Sequence, residues 1–414
     1  MPFLAPLDFQ SAPGAALLEQ IREEASPALA AMANHFARAF VVGSPWAPGF
    51  CCIGAELALD QPAMAAYGSP RLSVAGNGET PKEALISCLG EAADRLAVVE
   101  RPGDVRTSMP VGEIIGPLAG SWISEAMRSS VDRLDGVDAR DVLTGQPLAL
   151  PADLCLRRAP ERRRIEPVGA LSSGVAAGPN FAAAAVRAGL ELCERDAAAL
   201  WWLGGRRPAA FPIEHPANAA ATPLLAALRQ GRNERRTMLL DITTDLGIPT
   251  IAAISLDNEG RGLACGFASR LDWVGAARGA VLEMCQMELA APLAEAKRTE
   301  GGETALNAVD RQHLGRAAFA ASQCALLRPD RMSAFAAVPG EADDLQSFAV
   351  RLAARGVQLF AIDLTRADIG VAAARVVSAQ LQPYSSDVVS DRLRDCRASN
   401  GGLLHMETAS VPLM

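Results

Sequence analysis

Apolar and polar positions along this chain fall into one arrangement that recurs three times. A short apolar strand leads into a glycine-containing turn, and the turn opens a long, mostly apolar helix. The copies run from Leu72 to Val98, from Ala170 to Trp202 and, in weaker form, from Leu263 to Ala291. Strand-like stretches such as Thr250 to Ser255 lie between them. After the third copy, Leu345 to Ala354 predicts a helix, Val357 to Asp363 a strand, and Arg375 to Leu381 a last strand. Residues 14 to 42 carry a helical period interrupted at Pro27, and Pro45 and Pro48 open a loop. The alternation predicts α/β (α+β) layers. The repeat is far longer than a solenoid unit, so the copies read as pseudo-symmetric thirds of one large domain.

Two of the predicted helices carry the same polar stripe. Thr80, Pro81 and Glu83 supply an N-cap, a first-turn proline and a capping-box glutamate for the first helix. Down it follow Ser87, Glu91, Asp94 and Arg95; down the second, capped by Asn180, follow Arg187, Glu191, Glu194 and Arg195. Both sets have offsets of i, i+4, i+7 and i+8, which place four side chains on one face. The third helix carries Glu283 and Gln286, with Gly279 just before them. Alone, Glu91–Arg95 and Glu191–Arg195 would be surface ion pairs worth a few tenths of a kcal/mol, about 0.3–0.5 each. Their apolar neighbours, among them Ala92, Leu96, Leu190, Trp201 and Trp202, argue against that reading. Carboxylates converging from buried helices repel one another unless a cation neutralises them. Oxygen-only ligands of this kind suit magnesium, which also takes substrate phosphates as ligands. Three such helices frame a Mg-nucleotide site, with the turns Gly76-Asn77-Gly78 and Ser172-Ser173-Gly174 offering backbone N–H groups to phosphate.

Composition narrows the class. Half the residues are hydrophobic and 21% charged, a globular balance. A net charge of -8, from 39 Lys and Arg against 47 Asp and Glu, speaks against nucleic acid. The dense basic run Arg157-Arg158 with Arg162 to Arg164 sits among prolines and reads as an exposed connection. Nine cysteines without C-x-x-C spacing and four scattered histidines give no zinc pattern. Cys88, Cys193 and Cys285 fall inside helical patterns as buried thiols. No apolar run reaches membrane-spanning length, and the first residues do not form a signal peptide, which predicts a reduced cytoplasmic location without membrane contact.

The stripe residues resemble the YcaO family. Its serine-led S-x-x-x-E-x-x-E-R helix is similar to Ser87 through Arg95, and a second element to Ser173-Gly174 running into Glu191, Glu194 and Arg195. Glu283-Met-Cys-Gln286 matches its E-x-x-Q helix, and Asp363-Leu364-Thr365-Arg366-Ala-Asp368-Ile369-Gly370 its late D-L-T-R-x-D-I-G stretch. The resemblance implies a variable N-terminal segment over 1–69, an ATP-binding catalytic domain over 70–385 and a tail over 386–414. It implies ATP and Mg2+ as cofactors. Glu91, Asp94, Glu191, Glu194 and Glu283 would hold the metal, and Ser87, Arg95, Ser173, Arg195 and Gln286 the nucleotide. This sequence departs from the family pattern at Asp94, where glutamate is usual, and at Pro179 and Ala183, where the family carries Asn and Glu. Its tail has the single proline Pro412, where azoline-forming members often end proline-rich.

The activity implied is a peptide cyclodehydratase of bacteriocin-like biosynthesis. A Cys, Ser or Thr of a ribosomally made precursor peptide attacks the preceding amide carbonyl. The resulting oxyanion takes the γ-phosphoryl group of ATP, and phosphate leaves to give an azoline. Implied partners are the precursor peptide, a separate leader-peptide-binding (E1-like) protein and a flavin dehydrogenase, in a homodimer or a hetero-oligomeric synthetase. Two alternatives stay open: a thioamide-forming enzyme with a sulfur-delivery partner, and a degenerate, non-catalytic subunit that binds peptide or partner.

Overall fold

The structure is a computed structural model and describes residues 4–118, 123, 132–167, 171–321, 324–334, 344–384, 388–400 and 413. Ala170, His405 and tail residues 407–412 and 414 lie outside them. Each third of the repeat rests on its own sheet. The first sheet runs Leu4–Pro6, Phe36–Val42, Cys51–Ala58 and Arg71–Gly78, all antiparallel and in chain order. Residues before position 70 thus supply three of its four strands. The second sheet is ordered Val105–Pro110, Arg133–Asp141, Phe360–Asp363, Ala372–Val377 and Val175–Gly178, with Pro147–Pro151 beside Arg133–Asp141. The third is ordered Ala264–Ser269, Thr250–Asp257, Arg235–Asp241, Ala209–Ala210 and Arg331–Met332.

One long helix lies on each sheet, directly after the sheet's repeat strand: Pro81–Ala97, Phe181–Trp202 and Trp273–Glu288. Their contacts are cyclic. The first helix also touches the strand Val175–Gly178 of the second unit, the second touches Ala264–Ser269 of the third, and the third touches Arg71–Gly78 of the first. Alanine and cysteine on the buried faces let helix and strand approach. Ala84, Cys88 and Ala92 meet Ile53, Ala55 and Val74 in the first unit. Ala276, Ala280 and Met284 meet Ile251, Ala253 and Ala268 in the third. Trp201 and Trp202 are fully buried, and the Trp201 indole donates to Leu326 O at 2.8 Å.

Two sequence expectations give way. Residues 36–42 form a strand instead of continuing the helix: the helices Ala12–Glu24 and Pro27–Ala31 end first. Phe36, Phe40, Val41 and Val42 suit a pleated surface, and pairing with Cys51–Ala58 overrides the helical period. The basic run is an exposed connection only in part: Arg162 and Arg164 are exposed, but Arg158 is not. Arg158 is 1% exposed, because Glu100 and Asp135, remote in sequence, and the nearby Asp153 surround its guanidinium at 2.9, 2.6 and 2.7 Å.

Candidate functional site

The three long helices begin alike. Thr80 accepts from Glu83 N at 3.2 Å, Asn180 from Ala183 N at 2.9 Å and Asp272 from Gly275 N at 2.7 Å. Glycine lets helix and strand meet closely. A Cβ on Gly76 would lie 2.1 Å from Cys88 N, and one on Gly266 would lie 2.1 Å from Met284 N. Gly76-Asn77-Gly78 is therefore strand, not the phosphate-cradling turn the sequence suggested. Ser172-Ser173-Gly174 does form a turn, with Gly174 at φ +77°, but its Gly174 N–H is already spent on Glu191.

That bond belongs to a threefold set. Glu91 Oε2 accepts from Ala75 N at 2.9 Å, Glu191 Oε2 from Gly174 N at 2.9 Å and Glu283 Oε2 from Phe267 N at 2.8 Å. Each glutamate turns back onto the backbone of its own unit. Three residues on, a second set reaches forward into the next unit. Glu194 Oε2 accepts from Ser269 N at 3.1 Å, and Gln286 Oε1 accepts from Asn77 Nδ2 at 2.5 Å. Asp94 holds the equivalent place on the first helix but is one methylene shorter, and its Oδ1 is buried without a hydrogen-bond partner among the described residues. The arginines complete the stripe on two helices: Arg95 pairs with Glu91 at 2.8 Å, and Arg195 with Glu191 and Glu194 at 3.2 Å each. The third helix has Met287 there.

Where Asp94 falls short, a cavity of about 320 Å³ opens between the first and second helices. Glu91, Asp94, Arg95, Glu191 and Arg195 line it, with Ser172 and Val175. Burial pushes the Asp94 carboxyl well above its ordinary value, with Glu191 and Glu91 adding to the rise. Burial likewise raises Glu191, and Glu194 adds to this against the pull of Arg195. Glu283 is raised to about 7 by burial and the nearby Glu194. Burial is the first cause of each rise, and neighbouring carboxylates add to it against the pull of Arg95, Arg187, Arg195 and Arg270.

Of the residues singled out in the sequence, the cavity gathers Glu91, Asp94, Arg95, Glu191 and Arg195. Glu194, Glu283 and Gln286 stand on the adjoining ring and do not line it. Ser173 lines a smaller neighbouring cavity, and Ser87 is exposed one turn before Glu91. Among the described residues, no three His, Cys, Asp or Glu side chains already form a metal cage. The donor chemistry nonetheless fits a hard divalent cation: oxygen ligands only, excess negative charge, and an unpartnered Asp94 Oδ1. Cys88, Cys193 and Cys285 are buried free thiols, pushed far from thiolate chemistry by burial. No helix among the described residues is long and apolar enough to cross a membrane.

Sequence reasoning missed two arginines. Arg366, inside the late D-L-T-R stretch, donates to Ala97 O and Val99 O at 3.0 Å each and pairs with Asp104 at 2.7 Å, fixing the C-terminal end of the first helix. Arg375 lies beside the site, buried at the centre of Ala372–Val377. A lone arginine among small apolar strand residues was the available signal.

Solved structures share this architecture. A heterocyclase in complex with substrate and cofactor matches with a TM-score of 0.68 at 21% identity, over 92% of this chain and 53% of that one. The chain thus spans about half the length of that heterocyclase. YcaO from Methanopyrus kandleri, bound with AMPPCP and Mg2+, matches at 0.63 and 19% identity, over 90% and 92% of the two chains. A chain of the E. coli microcin synthetase McbBCD complex with pro-MccB17 bound matches at 0.58 and 13% identity, over 86% and 95%. No curated protein matches the chain in sequence. The family model for YcaO cyclodehydratases, described as binding ATP and Mg2+, matches residues 75–382, so the chain belongs to the YcaO family.

Proposed function

We propose that this chain is an ATP- and Mg2+-dependent cyclodehydratase that phosphorylates a backbone amide oxygen of a ribosomally made peptide and closes Cys, Ser or Thr onto it as an azoline. The observation that carries the reading is the cavity between the first two acidic helices, where Glu91, Asp94 and Glu191 meet Arg95 and Arg195 with negative charge in excess. Membership of an ATP- and Mg2+-binding family supports it. Glu91, Asp94 and Glu191 would hold the metal from within the cavity, with Glu194 and Glu283 supporting them from the ring. Arg95 and Arg195 would fix phosphate oxygens through charge-assisted hydrogen bonds. Ser87, Ser173 and Gln286 complete the proposed nucleotide contacts.

Bound Mg-ATP would supply the phosphoryl group that turns the amide oxygen, a poor leaving group, into a good one. In the peptide, the nucleophile's proton is lost as its sulfur or oxygen bonds to the carbonyl carbon. The C–O bond then breaks with phosphate as leaving group, a C=N bond forms as the amide nitrogen loses its proton, and the peptide is one water lighter. The chain's own part is orientation and charge stabilisation. Similarity to a chain of a multi-protein synthetase supports delivery of the peptide by a leader-binding partner.

The test uses a precursor peptide labelled with ¹⁸O at the reacting amide. The expected result is label in the released phosphate and a peptide lighter by one water. Label in phosphate with oxygen replaced by sulfur would assign the thioamide reaction instead. ATP consumption without label in phosphate would overturn amide-oxygen phosphorylation.

A further inference from the structure

A second, smaller cavity of about 70 Å³ adjoins the acidic one. Arg195 lines both, and the consecutive residues Ser172 and Ser173 line one each. The two differ in character. The acidic cavity is bounded by carboxylates, whereas Leu171, Leu192 and Val376 wall the smaller slot and no carboxylate lines it among the described residues. Arg375 stands in this wall, 7% exposed. Its guanidinium donates to Leu171 O at 2.6 Å and Leu154 O at 2.9 Å, and no ion pair holds it among the described residues. Its Nε–H is buried without a partner among them. Leaving a buried donor unmade costs about 1–3 kcal/mol, more when it is charged, so an acceptor is expected there.

Phosphoryl transfer needs the acceptor oxygen in contact with the phosphoryl group, so the acceptor's site must adjoin the phosphate site. The slot meets that requirement. Ser173, Arg195, Ser378 and Gln382 give it a polar side, and Leu171, Leu192 and Val376 an apolar wall, which together suit a peptide carbonyl beside an apolar side chain. One water needs about 10–15 Å³ of such space, so the slot has room for a side chain.

We propose that this slot is the acceptor-peptide subsite: Arg375 Nε–H holds a backbone carbonyl beside the reacting amide, and the small apolar side chain of that residue packs on Leu171, Leu192 and Val376. The inference rests on the function proposed above and identifies where its peptide lies. It is tested with a capped tripeptide amide whose first residue carries a diazirine of about valine size, followed by cysteine and glycine. The full chain is irradiated with this probe, with and without Mg-ATP, and crosslinks are mapped by mass spectrometry. Crosslinks are expected within 171–192 and 375–383, and they should fall at least about fivefold in Arg375→Met and in Leu192→Phe, which fills the slot yet leaves the arginine's backbone bonds intact. Thermal melts establish that each variant is folded. Labelling elsewhere, or a folded Leu192→Phe labelled like wild type, overturns the proposal. So does weaker Mg-ATP binding in Arg375→Met with labelling unchanged, which would make the slot a nucleotide subsite. Crosslinking in the slot with no ¹⁸O in phosphate would sink the proposed chemistry and leave the subsite standing.

Discussion

Two buried charge clusters in this molecule are built from the same residue types and behave in opposite ways. Around Arg158, burial alone would raise Glu100 and Asp135, yet hydrogen bonds from Arg162 and Arg158 to Glu100, and from Arg158 to Asp135, hold both below the usual carboxylate range. Asp153 is closed as well, accepting from Arg158 and from Arg164 N at 2.9 Å. That cluster satisfies itself. In and beside the cavity, Asp94, Glu191 and Glu283 are raised by burial with neighbouring carboxylates adding to it, and Asp94 Oδ1 has no partner among the described residues. A self-satisfied cluster holds the fold, whereas an undercompensated one is set to receive charge from outside.

The largest effect should come from the satisfied cluster. Arg158→Met removes the cation shared by three buried carboxylates, leaving Glu100 to Arg162 and the two aspartates to backbone N–H groups, and should cost about 3–5 kcal/mol in urea denaturation, or prevent folding outright. Arg95→Met, at a half-buried pair on the cavity rim, should cost under about 1 kcal/mol. Equal losses would erase the distinction between the clusters.

Binding should show the reverse order. Glu191→Gln removes a proposed metal ligand and should weaken Mg-dependent ATP binding by about 100-fold, or about 2.7 kcal/mol, in calorimetric titration. Its unfolding free energy should hold or rise slightly, because repulsion with Glu194 is relieved. Unchanged ATP affinity would return Glu191 to the role of a structural ion-pair partner for Arg195.

The stripes were legible in the sequence because helical periodicity places Glu91, Asp94 and Arg95 on one face whatever the fold around them. The strand–glycine–helix units were legible for the same local reason. What closes the ring was not: Glu194 to Ser269 and Gln286 to Asn77 are bonds between units, and no local period encodes them. Arg158 was misplaced on the same ground, since two of its three carboxylates, Glu100 and Asp135, come from distant segments. Arg375 shows the limit from the other side, as a visible anomaly in its strand whose neighbours only the fold supplies.

Protonation gives the two clusters opposite pH signatures. Glu283 has an ordinary value of 4.5 and a folded value of about 7, and Asp94 and Glu191 shift the same way. Within that window the folded chain binds more protons than the unfolded one, so these groups make stability fall as pH rises. Glu100 and Asp135, held low, contribute stability above their ordinary values of 4.5 and 3.8 that is lost as pH falls further. Without divalent cations, the melting temperature should therefore be higher at about pH 5.5 than at about pH 7.5. Glu283→Gln should narrow the difference, and Mg2+ should narrow it by stabilising the ionised carboxylates. A melting temperature that rises steadily across this range would mean the cavity carboxylates are already compensated.

The smallest expected effect tests where the ring is left open. Glu194 and Gln286 each span to the next unit, and Asp94 stops short, leaving Oδ1 buried and unpaired among the described residues. The first helix packs on the strand Val175–Gly178, and Val175 lines the cavity with Asp94. Asp94→Glu adds one methylene in that direction and brings a carboxylate oxygen toward backbone N–H groups of the second unit. Forming such a bond typically stabilises by about 0.5–1.5 kcal/mol, and bonds to a charged group by somewhat more. Opposing it, the longer chain carries the same charge closer to Glu191, and that repulsion costs most when no cation is bound. The net expectation is a gain of under about 1 kcal/mol in the presence of Mg2+ and less in its absence, read by urea denaturation under both conditions. Mg-ATP affinity should stay within about threefold of wild type, because a carboxylate is kept at the cavity wall. A destabilisation above about 1 kcal/mol in both conditions would mean that Asp94 is fitted to its length, and that the break in the threefold pattern belongs to the packing and not to the site.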